Sequence, residues 1–194
     1  MKKLIAVVLA VTLLASLSGL AASCAYSDLM RDGGDSQELV GGVGIWDDNV
    51  STLFVDFVVP HGYADDNWCI AEAHLHIFTD NVTFDDIKLT GGGPPPGKFK
   101  YKRYYDNPCD DGECYTGWDE VEELGDPEFG VPWPDGAVSG DIVYIALHLE
   151  LVRWVDDTCI RETAWIVGND FPGKNWAMYF PYELGSEQGP VPVI

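Results

Sequence analysis

Between residues 38 and 184, apolar and polar positions alternate with a period of two, and no long helical period interrupts them. Val40–Trp46 and Thr52–Val59 predict a hairpin joined through Asp47-Asp48-Asn49. Trp68–Phe78 predicts a strand with Cys69, Ala71, Ala73, Leu75 and Ile77 on one face and Glu72, His74 and His76 on the other. Lys98–Tyr105 alternates too, with Phe99, Tyr101 and Tyr105 opposite Lys98, Lys100 and Lys102. Ile142–Trp154 carries the longest stripe: Val143, Ile145, Leu147, Leu149 and Leu151. Thr158–Val167 and Asn175–Tyr182 complete the set. Pro94-Pro95-Pro96 after three glycines is a loop, because proline cannot donate to a ladder. About eight strands separated by Gly, Pro and Asp turns predict an all-β, antiparallel β-sandwich or jelly-roll-like single domain.

The two ends read differently. Lys2 and Lys3 precede an uncharged apolar run from Leu4 to Leu20, which ends in small residues. That three-part order predicts an export signal over 1–23 and an extracellular or cell-envelope location. Leu20-Ala21-Ala22-Ser23-Cys24 resembles a lipobox, which makes Cys24 the candidate lipid-bearing residue, with cleavage after Ala25 as the alternative. Residues 24–37 read as a polar, Gly-rich tether, 38–184 as the domain, and 185–194 as an irregular tail. Setting Cys24 aside leaves Cys69, Cys109, Cys114 and Cys159, an even set suited to an oxidising compartment. Four cysteines allow three pairings. The expected one closes Cys109 to Cys114 around a short acidic turn and joins Cys69 to Cys159 across the fold.

The chain carries a formal charge of −21, which becomes −23 without Lys2 and Lys3. Such a charge excludes nucleic acid as a partner and restricts membrane contact to an N-terminal lipid. Acid doublets at Asp47-Asp48, Asp65-Asp66, Asp85-Asp86, Asp110-Asp111 and Asp156-Asp157 read as solvated turn tips, with calcium ligation as the sharper alternative. None has the spacing of an EF-hand loop.

One candidate site stands out. Glu72, His74 and His76 project from one side of the Trp68–Phe78 strand, and His148 faces away from the stripe of the Ile142–Trp154 strand. Were these strands neighbours, the three imidazoles and the carboxylate would be donors suited to zinc or copper. Ordinary polar cross-strand packing is the competing reading. A second candidate is aromatic: Trp68, Trp118, Trp133, Trp154, Trp165 and Trp176 with Tyr101, Tyr104 and Tyr105. Exposed rings stack on sugars, while buried ones fill a core. No nucleophile elbow, phosphate loop or Cys/His triad spacing is present, and no catalytic carboxylate pair separates from the many acids. No catalytic residue is therefore assigned.

Five phrases occur in order: Trp68-Cys69-Ile70-Ala71-Glu72-Ala73-His74-Leu75-His76, Pro96-Gly97-Lys98-Phe99-Lys100-Tyr101, Tyr144-Ile145-Ala146-Leu147-His148, Glu162-Thr163-Ala164-Trp165, and Phe171-Pro172-Gly173-Lys174-Asn175-Trp176-Ala177-Met178-Tyr179-Phe180. Together they resemble a β-rich module of microbial secreted and surface proteins. The resemblance spans roughly residues 38–184 and implies an extracellular sandwich without bringing an activity. It departs at Ala71 and Ala73, where members often carry Thr, and at the segment holding Cys109 and Cys114. The sequence thus leaves three expectations open: a non-enzymatic envelope module binding a glycan, protein partner or cation; a metalloprotein, conceivably a hydrolase, on Glu72, His74, His76 and His148; and a structural subunit of a surface layer or filament.

Overall fold

The computed structural model describes residues 24–32, 37–59, 68–79, 94–105, 109, 114, 128–156, 158–172 and 177–186. The predicted export signal, His61, Trp118, Trp176 and the doublets Asp65-Asp66, Asp85-Asp86 and Asp110-Asp111 lie outside them. The strands are β1 Cys24–Asp32, β2 Gln37–Asp47, β3 Thr52–Val58, β4 Cys69–Phe78, β5 Tyr101–Tyr104, β6 Phe129–Pro132, β7 Ile142–Val155, β8 Thr158–Ile166, β9 Asn169–Asp170 and β10 Met178–Glu183. A 3-10 turn, Pro96–Lys98, precedes β5.

The all-β, antiparallel class follows the alternation, but the strands form one sheet instead of two facing ones. Its order is β5-β4-β7-β8-β1-β2-β3-β6, with β10 beside β7 and β9 beside β10. The 14 residues of β7 explain the continuity. One side of β7 pairs with β4 over most of its length, and the other is divided between β8 and β10. Among the described residues the strands join in one sheet, which curls into a half-barrel. The predicted stripe of β7, Val143 to Leu151, is at most 1% exposed and fills the concave face with Ile45, Leu53, Val55, Ile70 and Leu75. Each such buried side chain contributes roughly 1.5–3 kcal/mol.

Three expectations need correction. Residues 24–32, read as tether, form β1 between β2 and β8. Ala25 and Leu29 alternate into the core there, while Tyr26 and Asp28 face outward, so polar composition concealed a strand. Next, β4 contains a bulge between Ile70 and Glu72. The extra residue reverses the phase of alternation, so Ile70 enters the main core and Cys69 and Ala71 move to the opposite face. Finally, the predicted Lys98–Tyr105 strand is shortened to Tyr101–Tyr104. The turn before it sends Phe99 to the convex face and leaves Tyr101 against the concave core.

The hairpin between β2 and β3 is as predicted, but its acids are not two solvated tips. Asp47 is buried and accepts hydrogen bonds from the Tyr182 hydroxyl (2.8 Å) and the Gly185 amide (2.9 Å), tying the chain after β10 to the hairpin. Asp48 accepts the amides of Val50, Ser51 and Thr52. Slight burial would raise its carboxyl, but these donors prevail and hold it at about 2.

The two outer strands of the sheet approach each other across the open side of the half-barrel. Tyr105, next after β5, donates to Glu128 Oε2 at 2.6 Å, just before β6. Arg103 lies 3.7 Å from the same carboxylate, and its guanidinium is 5.7 Å from the Phe129 ring centroid. Side chains, not a backbone ladder, join the edges at this end of the seam.

Candidate functional site

β4 and β7, whose adjacency the sequence left open, are neighbours. His74 pairs directly with His148 and Glu72 with Glu150. The two imidazoles stack at 5.6 Å between centroids, with planes 6° apart, and Glu72 Oε2 lies 3.2 Å from His74 Nε2. His76 is not brought into the group. It pairs with Ala146, its ring sits 4.5 Å from Phe78 and 5.7 Å from Phe99, and its Nδ1 accepts the Lys100 amide at 3.2 Å.

Around His74 and His148 this face is not open, whereas His76 also borders the seam groove described below. His74, His76 and His148 are each 7% exposed. A second apolar layer of Phe78, Phe99, Ala146, Trp165, Phe171, Ala177, Met178 and Tyr179 lies on this side of the sheet. Trp165 approaches His148 edge-on at 4.9 Å. Loss of hydration drives the His148 pKa down to about 3, with His74 adding a smaller push in the same direction. Burial lowers His74 as well, against the opposing pull of Glu72. Both rings are therefore neutral packing elements at pH 7.

The predicted metal set does not fit. Lone pairs of imidazole lie in the ring plane, and two parallel planes do not converge on one ion. Glu72 is engaged with His74, and His76 faces a separate cluster. Among the described residues no group of three or more His, Cys, Asp or Glu is arranged to hold a metal ion.

The cysteines form two disulfides, but not in the expected pairing. Cys69 joins Cys114 and Cys109 joins Cys159, with Cα separations of 5.1 and 5.6 Å. Sheet order explains the correction. Cys69 on β4 and Cys159 on β8 flank β7 and are thus about 9–10 Å apart, since neighbouring strands lie 4.7–4.9 Å apart. A disulfide tolerates roughly 4.4–6.8 Å. Cys114 instead meets Cys69 and Cys109 meets Cys159, and Cys69, Cys109 and Cys159 pack with Ala71 and Val152.

The open concavity lies elsewhere, at the seam. A groove of about 600 Å³ runs between the β4–β5 edge and the segment after β6. Tyr101, Lys98 and Lys100 line one side; Pro132, Trp133 and Pro134 line the other. The Trp133 amide donates to the Ser51 carbonyl at 2.7 Å, anchoring this segment to the hairpin. Trp133 and Tyr101 are half-buried, each packing partly on the concave core while bordering the groove. A smaller hollow of about 330 Å³ adjoins it through Thr79 and Asp135 and includes Asp141 and Ile142.

The seven aromatic candidates among the described residues therefore separate. Trp68 and Trp165 are core, 1% and 5% exposed. Trp154 and Tyr104 are exposed outside the groove, and Tyr105 serves the seam latch. Among the described candidates, Trp133 and Tyr101 meet at the groove. The signal for that meeting was Pro132-Trp133-Pro134, a rigid aromatic presentation not singled out by alternation.

One acid pair also emerges that sequence reasoning missed. Asp56 on β3 and Glu128 before β6 are 7% and 8% exposed, and burial raises both carboxyl pKa values. The Tyr105 phenol, itself raised by burial, donates into this pair's Glu128. Neither carboxylate borders the groove. Their work is closure of the half-barrel.

The two disulfides suit an oxidising, extracellular setting, and among the described residues no helix is long and apolar enough to cross a membrane. The chain matches no family model, no curated protein and no solved structure.

Proposed function

We propose that this protein is an exported, non-enzymatic β module that holds a saccharide of the cell envelope or its surroundings in the seam groove. The observation that carries the reading is the placing of Trp133 and Tyr101 across one open concavity, between Pro132 and Pro134 on one side and β5 on the other. Rings held by a rigid backbone supply flat apolar area at little entropic cost, and sugar C–H faces pack on such surfaces. Its dimensions suit a few sugar units, since ligand sites commonly enclose about 300–1,000 Å³. Export is supported by the basic, apolar and small-residue order of residues 1–23 and by the paired cysteines. Membrane attachment, in this reading, runs only through a lipid on Cys24. The resemblance to surface modules is consistent with the same location.

A metalloprotein reading loses its support because the His/Glu donors do not converge. The structural-subunit reading is not favoured either: β5, an outer strand, carries Lys102 and Arg103, charges that discourage edge-to-edge pairing. The test is a glycan array with the domain from Cys24 onward, followed by calorimetric titration of any retained saccharide. Trp133→Ala and Tyr101→Ala should each weaken binding by the folded protein about tenfold or more, equivalent to about 1.4 kcal/mol, and each should lower the melting transition because both rings also pack on the core. Undiminished affinity in both variants, or retention of no saccharide at all, would remove the groove from the account.

A further inference from the structure

The hairpin between β2 and β3 carries a pattern that the groove does not use. Asn49-Val50-Ser51 has asparagine, a residue other than proline, and then a hydroxyl residue, the acceptor order for N-linked glycosylation of exported chains. Such a triplet belongs on a surface loop, and the fold puts it at a hairpin tip. Val50 is 74% exposed, Ser51 is exposed, and Asn49 holds the turn's left-handed position with φ of 58°. The carboxylates of Asp47 and Asp48 keep the tip in shape. Asp47 Oδ1 accepts the Asn49 amide at 2.6 Å, and Asp48 Oδ1 accepts the amides of Val50, Ser51 and Thr52.

A left-handed backbone favours asparagine, aspartate or glycine, so the turn alone accounts for Asn49. It does not account for a hydroxyl at 51. Ser51 gives its amide to Asp48 and its carbonyl to the Trp133 amide, and any residue but proline does both. We infer that Asn49 is an N-glycosylation site, bearing an oligosaccharide at the hairpin tip of the exported protein. This rests on the export part of the reading above and not on the groove. The donor is an oligosaccharide linked through phosphate or pyrophosphate to a membrane polyprenol, and the host's transferase recognises the Ser51 hydroxyl. The Asn49 side-chain nitrogen bonds to the anomeric carbon of the first sugar and gives up one proton. The bond from that carbon to the phosphate oxygen breaks, and the lipid phosphate leaves with its electron pair. No oxidant or reductant is required. The tip is exposed in the folded protein, so the product and the fold are compatible. A second such triplet, Asn81-Val82-Thr83, lies outside the described residues.

Mass spectrometry of the protein purified from the envelope and medium of its own host tests the inference. Chymotrypsin cuts after Trp46 and Phe54, and the peptide 47–54 should carry a saccharide mass increment. Asn49→Asp keeps a residue that tolerates the left-handed turn but lacks the amide nitrogen, and it should lose the increment. Ser51→Ala should lose it as well, and Ser51→Thr should keep it. A peptide 47–54 of unmodified mass overturns the inference and leaves export standing, as does an increment confined to Asn81. An increment that survives Asn49→Asp lies on another residue and also overturns it. Protein found only inside the cell with residues 1–23 attached overturns export and glycosylation together.

Discussion

The convex layer around His74 and His148 and the groove at the seam contain the residue types that most suggest chemistry, yet they are opposite in access. The imidazoles are stacked, neutral and sealed by an apolar layer. Trp133, Tyr101, Lys98 and Lys100 border open space. Pattern alone ranks the first region higher, since three histidines on alternate positions look like ligands. Packing reverses the ranking. What matters is not which side chains share a face but what covers that face, and here the cover comes from Phe99, Phe171 and Tyr179, distant in sequence.

Perturbing the two regions should separate them. The largest effect belongs to the staples over the convex face. Replacing Cys69 and Cys114 together by serine opens a loop of 45 residues and should cost about 4 kcal/mol in the chain-entropy model, read by denaturant melts. Saccharide affinity of the folded fraction should not change. Next comes the tie between hairpin and C-terminal turn. Tyr182→Phe leaves the buried Asp47 short of one donor and should cost roughly 1–3 kcal/mol.

Acid sensitivity follows for the sealed imidazoles. His148 has an ordinary pKa near 6.5 unfolded and about 3 folded, so the unfolded chain binds more protons between those values. Stability should therefore fall as pH drops from about 6.5 towards 3. The buried Asp56 and Glu128 act oppositely: raised carboxyls favour the folded state at low pH and lose that contribution as pH rises through their folded values. His148→Leu should flatten the acid limb of a stability–pH curve; an unaltered limb would mean that the ring is not held neutral. The smallest effect is at the groove. Lys98→Ala should change stability by no more than about 0.5 kcal/mol, since the side chain is exposed.

Much of this was legible in the chain, unevenly. The stripe Val143 to Leu151 identifies β7 because a buried face needs strict alternation over a long strand. The same regularity put His74 and His148 on the faces opposite the stripes, while their adjacency came from sheet order. The bulge at Ile70/Glu72 left no comparable trace, and one extra residue was enough to exchange the faces of Cys69 and Ile70. The disulfide pairing depended on β7 lying between β4 and β8, a fact of sheet order that local pattern does not contain. β1 was hidden because Gly33, Gly34 and several acids nearby give the segment a linker's composition. The groove was the least visible, since it joins residues from two sheet edges more than 30 positions apart.

The central claim is that ligand reaches the seam and not the imidazole layer. Indole N–H chemical shifts in a 15N spectrum, followed through a titration with a saccharide retained on the glycan array, test it most directly. The account predicts that the Trp133 signal moves saturably while those of Trp68 and Trp165 stay in place. A stationary Trp133, or movement centred on Trp165 beside His148, would contradict it.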